Sequence, residues 1–96
     1  MSRLYVLVAI VSNSFNEADW RKVVQRLIKA EMSKRGMKYQ TLSIELAKLG
    51  TQQSADNLRN KINRGILGAD LLLQLIVVMN IRKVGVEEIS EISDSL

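Results

Sequence analysis

The sequence contains neither cysteine nor histidine. A disulfide framework and the usual zinc sites are therefore excluded, because both are built from these side chains. The commonest general acid/base and the commonest thiol nucleophile are missing as well. No carboxylate pair, glycine-rich phosphate loop or nucleophile motif stands among the remaining residues. We therefore expect a protein that is not an enzyme and that uses no cofactor, metal or small-molecule ligand.

Proline is also absent, and only one Trp, two Tyr and one Phe are present. The lack of proline favours helices joined by short, glycine-marked turns over an all-β or loop-rich scaffold. So few aromatic rings do not form a stacking platform for single-stranded or structured RNA, which disfavours that partner. The 96 residues are 47% apolar, which is enough for the core of one domain.

Long hydrophobic runs are missing too. The run at residues 4–11 spans eight residues, far fewer than the roughly 20 of a membrane helix. A single Arg3 precedes the run, as in a signal peptide, but residues 12–14, which follow it, form a poor cleavage site. We therefore expect a cytoplasmic protein without membrane contact. Its β-branched and aromatic content predicts a short buried strand. This N-terminal extension, residues 1–13, is a candidate dimer contact through four apolar side chains: Leu4, Val6, Val8 and Ile10.

Positive charge is concentrated in the body of the chain. All 14 basic residues lie between Arg3 and Lys83 together with six acidic ones, for a net charge of +8, and the acidic C-terminal segment beyond Lys83 carries −4. A basic body suits a polyanionic partner, although ordinary scatter of surface charge would produce a similar balance.

Apolar periodicity and capping residues predict four helices within a domain spanning residues 14–83. The first has capping-box spacing in two registers, Ser14 with Glu17 or Asn16 with Asp19, and we expect Trp20 in its buried face. The second runs over residues 39–49, the third over 54–64 and the fourth over 71–79, which is apolar nearly all round. Gly36, Gly50 and Gly65 end the first three. Residues 84–92 fit a short helix and a strand equally well.

The third helix carries the functional prediction. Its apolar stripe is narrow, consisting of Ala55, Leu58 and Ile62. Asparagine is a poor helix former, yet three asparagines share the opposite face, and Asn, Gln and Arg are the side chains that read base edges in the major groove. The predicted base contacts are Gln53, Asn57, Asn60, Asn63 and Arg64. The alternative is that these amides bond loop backbone or a protein partner.

The preceding helix supports the same interpretation, because helix, turn and helix with Gly50 between them match a helix-turn-helix arrangement. In such domains the first helix of the pair crosses the DNA backbone. The predicted phosphate contacts are Lys38, Gln40, Thr41, Arg59 and Lys61. Tyr39 fits a half-buried packing position at least as well as a contact.

Several strings in residues 20–81 resemble a bacterial family catalogued as domain of unknown function 6471. They include residues 27–32, 35–39 and, most specifically, the Asn-Leu-Arg-Asn-Lys-Ile-x-Arg-Gly string at 57–65. More distantly the chain is similar to the phage lambda repressor and Cro class, which implies a four- to five-helix DNA-binding domain. Residues 42–65 are a few residues longer than in the compact repressors.

The sequence thus predicts a mainly α, lambda-repressor-like helix-turn-helix domain with a short N-terminal β-strand. We expect it to bind double-stranded DNA as a homodimer, since dimers read two half-sites. The N-terminal strand and the fourth helix are the candidate interfaces, the latter through Leu72 and Ile76. A protein-interaction or antitoxin-like adaptor on the same scaffold is the alternative, because fold alone does not determine function.

Overall fold

The computed structural model describes residues 16–96. Over this range the regular secondary structure consists of five α-helices and no strand. The helices are α1 (Glu17–Arg35), α2 (Tyr39–Lys48), α3 (Ala55–Arg64), α4 (Ala69–Val78) and α5 (Val86–Asp94). The mainly α prediction is confirmed, and within the ambiguous segment 84–92 the residues from Val86 onward belong to a helix and not to a strand. The predicted strand at residues 4–11, with Leu4, Val6, Val8 and Ile10, lies outside the described residues.

Local side chains define where α1 and α3 begin. At the start of α1, Asn16 Oδ1 accepts a hydrogen bond from the Asp19 amide at 3.0 Å, and the Asp19 carboxylate accepts one from the Asn16 amide at 3.2 Å. This reciprocal pair is the second of the two predicted capping registers. At the start of α3, Ser54 Oγ accepts from the Asn57 amide at 3.0 Å, as predicted for an N-cap.

The end of α3 is held directly against α1. Gly65 has a φ of 66°, and the amides of Gly65 and Ile66 donate to carbonyl oxygens in the last turn of α3, which is the Schellman arrangement. A Cβ atom on Gly65 would lie 2.0 Å from the carbonyl oxygen of Arg21. Only glycine therefore fits, both because of the left-handed backbone and because the backbones of α1 and of the end of α3 approach so closely.

One core joins the first four helices. Helix α3 packs against α1 and α2, α2 also packs against α4, and α5 packs against α1. Each of the first four helices contributes one stripe of buried side chains, as the apolar spacing predicts for α1, α2 and α3. The buried cluster comprises Ile28, Met32, Leu42, Leu46, Leu58, Ile62, Leu71, Leu75, Met79 and Ile81.

Helix α5 packs through small polar side chains instead. Ser90 and Ser93 are buried, and Ser93 Oγ donates to the Ile89 carbonyl at 2.8 Å. The Arg26 guanidinium on α1 donates to the Ser95 carbonyl at 3.2 Å.

Helix α1 also buries a charge: Glu31 is 4% exposed and is ion-paired to Lys34 and Arg35.

Two burial predictions were wrong. Trp20, expected in the core, is 40% exposed, because it lies in the first turn of α1 beside an open groove lined by residues 65–68. Helix α4, expected to be buried on most sides, leaves Leu73 and Val77 more than 60% exposed, because no other described helix packs on that side. Within residues 16–96, no helix is both long enough and apolar enough to cross a membrane.

Candidate functional site

Helix α3 turns one narrow stripe inward and the rest of its surface outward. Leu58 and Ile62 are fully buried, and Ala55 is half-buried, so the predicted stripe is confirmed. Four of the five predicted base-contacting residues are exposed on α3: Asn57, Asn60, Asn63 and Arg64. The fifth, Gln53, is half-buried in the turn that precedes the helix.

The outward face of α3 keeps most of its hydrogen-bonding groups open. The side chains of Asn60, Asn63 and Arg64 have no hydrogen-bond partner among residues 16–96. Asn57 Nδ2 donates to Gln53 Oε1 at 3.1 Å, which leaves the Asn57 oxygen and the Gln53 amino group available. The face therefore offers both donors and acceptors to a ligand.

The turn between α2 and α3 is pinned from α2. Gly50 has a φ of 85°, and the Thr51 amide donates to the Leu46 carbonyl at 3.0 Å. Ser43 Oγ then donates to the Gln53 carbonyl at 2.6 Å, so Gln53 is held in place immediately before α3. Sequence reasoning missed Ser43, because a hydroxyl in mid-helix gives no sign of which distant carbonyl it reaches.

A cavity of about 740 Å³ lies between the start of α2 and the start of α3. It brings together three of the five predicted phosphate-contacting residues, Lys38, Gln40 and Arg59. The Arg59 guanidinium lies 5.4 Å from the centre of the Tyr39 ring and donates to Asp56 Oδ1 at 2.6 Å. Stacking on the ring and the ion pair together hold Arg59 at the mouth of this cavity.

The start of α2 is electrostatically open. Lys38, its N-cap, makes no side-chain capping bond, and the first turn of α2 contains no acidic residue. No side chain therefore offsets the partial positive charge of the backbone N–H groups at this helix N-terminus, which favours an anion nearby. Thr41 is exposed in the same turn but does not line the cavity.

A second, smaller cavity of about 300 Å³ lies along α3 and is lined by Asn57, Asn60, Lys61, Arg64 and Ile66. Lys61, the remaining predicted phosphate contact, is thus grouped with the asparagines and not with Lys38. Lys38, Lys61 and Arg64 have no carboxylate partner in the described chain.

Unpaired positive charge and open amides on one face can bond an anionic or polar ligand. No group of three acidic side chains within residues 16–96 could hold a metal ion.

The fold and this face define a small, mainly α domain with a polar, basic helix presented on its surface. A family model described as a domain of unknown function, DUF6471, matches residues 20–84. The match covers about two thirds of the chain, and the protein belongs to this family. Comparisons with curated proteins and with solved structures gave no match.

Proposed function

We propose that the protein binds double-stranded DNA sequence-specifically, as a transcriptional regulator that inserts α3 into the major groove. The observation that carries the proposal is the outward face of α3, where Asn60, Asn63 and Arg64 are exposed and have no side-chain partner among residues 16–96. Polar groups left open on a structured surface are available to a ligand at no cost in broken internal bonds.

The dimensions and chemistry of α3 suit a groove. A helix of ten residues is about 15 Å long and, with its side chains, about as wide as the roughly 12 Å major groove. Asparagine amides pair with the N6 and N7 edge of adenine, and Arg64 suits the O6 and N7 edge of guanine. The hydrogen bond between Gln53 and Asn57 holds a further pair of amide side chains in place at the N-terminal end of α3.

The cavity at the start of α2 supports the same proposal from a second direction. A backbone phosphate beside the groove would meet Lys38, the free N–H groups of α2 and the Arg59 guanidinium. In helix-turn-helix domains the first helix of the pair crosses the backbone in this way. The order α2, Gly50 turn, α3 agrees with that arrangement, and we extend the proposal to a distant relationship with the lambda repressor and Cro class.

The first experiment is selection from a random duplex pool, followed by fluorescence anisotropy of the selected duplex across a range of salt concentrations. We expect the logarithm of the affinity to fall linearly with the logarithm of salt concentration. Failure to bind any duplex at low salt, or binding that is indifferent to salt, would refute the proposal.

Substitutions then distinguish residues that recognise bases from residues that contact phosphate. Asn60→Ala should lose preference for the selected duplex, by about 1–3 kcal/mol per specific contact. Lys38→Ala should weaken binding to all duplexes and lower the salt slope. Lys29→Ala is the matched control, because Lys29 is also exposed, on α1, and has no ion-pair partner in the described chain. If Asn60→Ala resembles Lys38→Ala, α3 does not read bases.

A protein-interaction or antitoxin-like adaptor is the second candidate, because the exposed amides of Asn60 and Asn63 can bond a protein partner as well as a base. It predicts that Asn60→Ala abolishes capture of a protein partner while no duplex is bound with measurable preference.

A further inference from the structure

Helix α4 carries the two most exposed large apolar side chains among residues 16–96. Leu73 is 62% exposed and Val77 is 64% exposed. They are four residues apart and therefore neighbours on one side of the helix. Leu72 and Ile76, the positions predicted as dimer contacts, instead lie half-buried against the core. The outward face of α4 is thus centred on Leu73 and Val77, one residue further along the chain than predicted.

No charged residue interrupts this face. Between Asp70 and Arg82 the sequence contains no Asp, Glu, Lys or Arg. This face therefore offers no charged group to a polar partner such as nucleic acid. A partner helix with apolar side chains four residues apart would fit it. A second copy of α4 has that spacing. In a two-fold arrangement Leu73 of one copy packs against Val77 of the other, and the reverse contact repeats the match.

The charges at the two ends of α4 determine the direction of that pairing. Asp70 is exposed at the start of the helix, and Arg82 and Lys83 are exposed just beyond its end. Antiparallel helices would place Asp70 of each copy near Arg82 and Lys83 of the other. A parallel pair would oppose like charges at both ends. We propose that α4 is a two-fold self-association surface on which two copies pair antiparallel through Leu73 and Val77.

The contact is small. Ten residues of helix extend about 15 Å, so the pairing buries less than the roughly 1,200 Å² of a standard stable interface. We therefore expect a weak dimer in free solution that becomes tight when two copies occupy neighbouring half-sites on DNA. The strengthening on DNA rests on the proposed function, whereas the self-association does not.

Sedimentation of the full 96-residue chain without DNA tests the surface, over roughly 5 to 500 µM so that weak dimers are detected. Leu73→Lys and Val77→Lys should each raise the dimer dissociation constant at least about tenfold. In a two-fold dimer both copies contribute the substituted residue to the same interface, so each change acts twice. Ile44→Lys is the control, since Ile44 is 50% exposed on α2 and should leave the dissociation constant unchanged. Circular dichroism verifies that each variant is folded.

Charge reversal provides a second test that touches exposed positions only. Asp70→Lys should weaken the dimer, and adding Arg82→Glu with Lys83→Glu should restore it. Recovery in the combined variant supports the antiparallel pairing even if Leu73→Lys does not fold. A wild type that stays monomeric alone and binds DNA as a single copy overturns the proposal. Equal effects of Leu73→Lys and Ile44→Lys also overturn it. A dimer lost in Leu73→Lys while no duplex binds would leave this surface intact and refute the proposed function.

Discussion

Replacing Gly65 with alanine tests whether close backbone approach holds α3 in place. The added Cβ would lie 2.0 Å from the Arg21 carbonyl oxygen, and 2.6 Å from its carbonyl carbon. Both are backbone atoms of α1, so no side-chain rotation relieves the contact. Because the preferred separation of such atoms is about 3.5 Å, the end of α3 and the first half of α1 must move apart by more than about 1 Å.

The expected loss has two parts. An alanine at a φ of 66° costs about 1–2 kcal/mol for its left-handed backbone. Forcing two packed segments apart costs about 1–3 kcal/mol more. We therefore expect Gly65→Ala to lower the free energy of unfolding by roughly 2–5 kcal/mol, a large share of the total for a domain of this size.

Gly36→Ala separates the two parts, because Gly36 has a nearly identical φ of 62° while nothing lies within 4 Å of its added Cβ. Urea unfolding followed by circular dichroism would measure both variants. Gly36→Ala should show only the backbone cost, about 1–2 kcal/mol. If the two variants lose the same stability, the close approach of α3 to α1 is not an energetic constraint and our account of how α3 is held is wrong.

Three further changes test the site and its supports. Asp56→Asn should release Arg59 from its 2.6 Å ion pair and tighten binding to every duplex, with a salt slope steeper by about one. Ser54→Ala removes the N-cap of α3 and should lower the free energy of unfolding by about 1 kcal/mol. Glu31→Gln should flatten the acid side of the pH–stability curve. Burial raises the pKa of the Glu31 carboxyl, but the hydrogen bond from Arg35 and the positive charges of Lys34 and Arg35 outweigh it, so the pKa is lowered. The stabilisation is therefore present above the ordinary carboxyl range and is lost as pH falls through the lowered pKa.

The first two of these changes have a matched control within the chain. Glu45→Gln frees Lys48 from a similar pair at 3.0 Å, away from both cavities of the site, so a similar gain in affinity there would assign the Asp56 effect to net charge alone. Ser33→Ala changes an exposed serine within α1 and should be neutral in the unfolding assay. Parallel pH–stability curves for wild type and Glu31→Gln would contradict the role given to the Glu31 pairs.

The outward face of α3 could be predicted because its determinants are local. Leu58 and Ile62 recur four residues apart, which defines the buried stripe and leaves Asn60 and Asn63 outside it. The cavity at the start of α2 could be predicted only as separate residues. That Arg59 reaches Tyr39 and Asp56 depends on the angle between α2 and α3, which no spacing within either helix encodes.

Two contacts that hold α3 in place could not be predicted from the sequence for the same reason. Ser43 bonds the Gln53 carbonyl across ten residues, and Gly65 meets Arg21 across more than forty. A hydroxyl and a glycine are both ordinary in their own segments. Their roles appear only when the helices that carry them are brought together.

The sequence by itself determined where the first four helices lie and which of them is polar, because caps, glycine ends and apolar periodicity act within a few residues of each other. Tertiary structure alone decided which side of α4 is open. A helix that is apolar nearly all round has no stripe to orient it, so its buried side is set by the neighbours that pack on it. Helix α2 packs on α4, Leu72 and Ile76 are half-buried against the core, and Leu73 and Val77 remain outside.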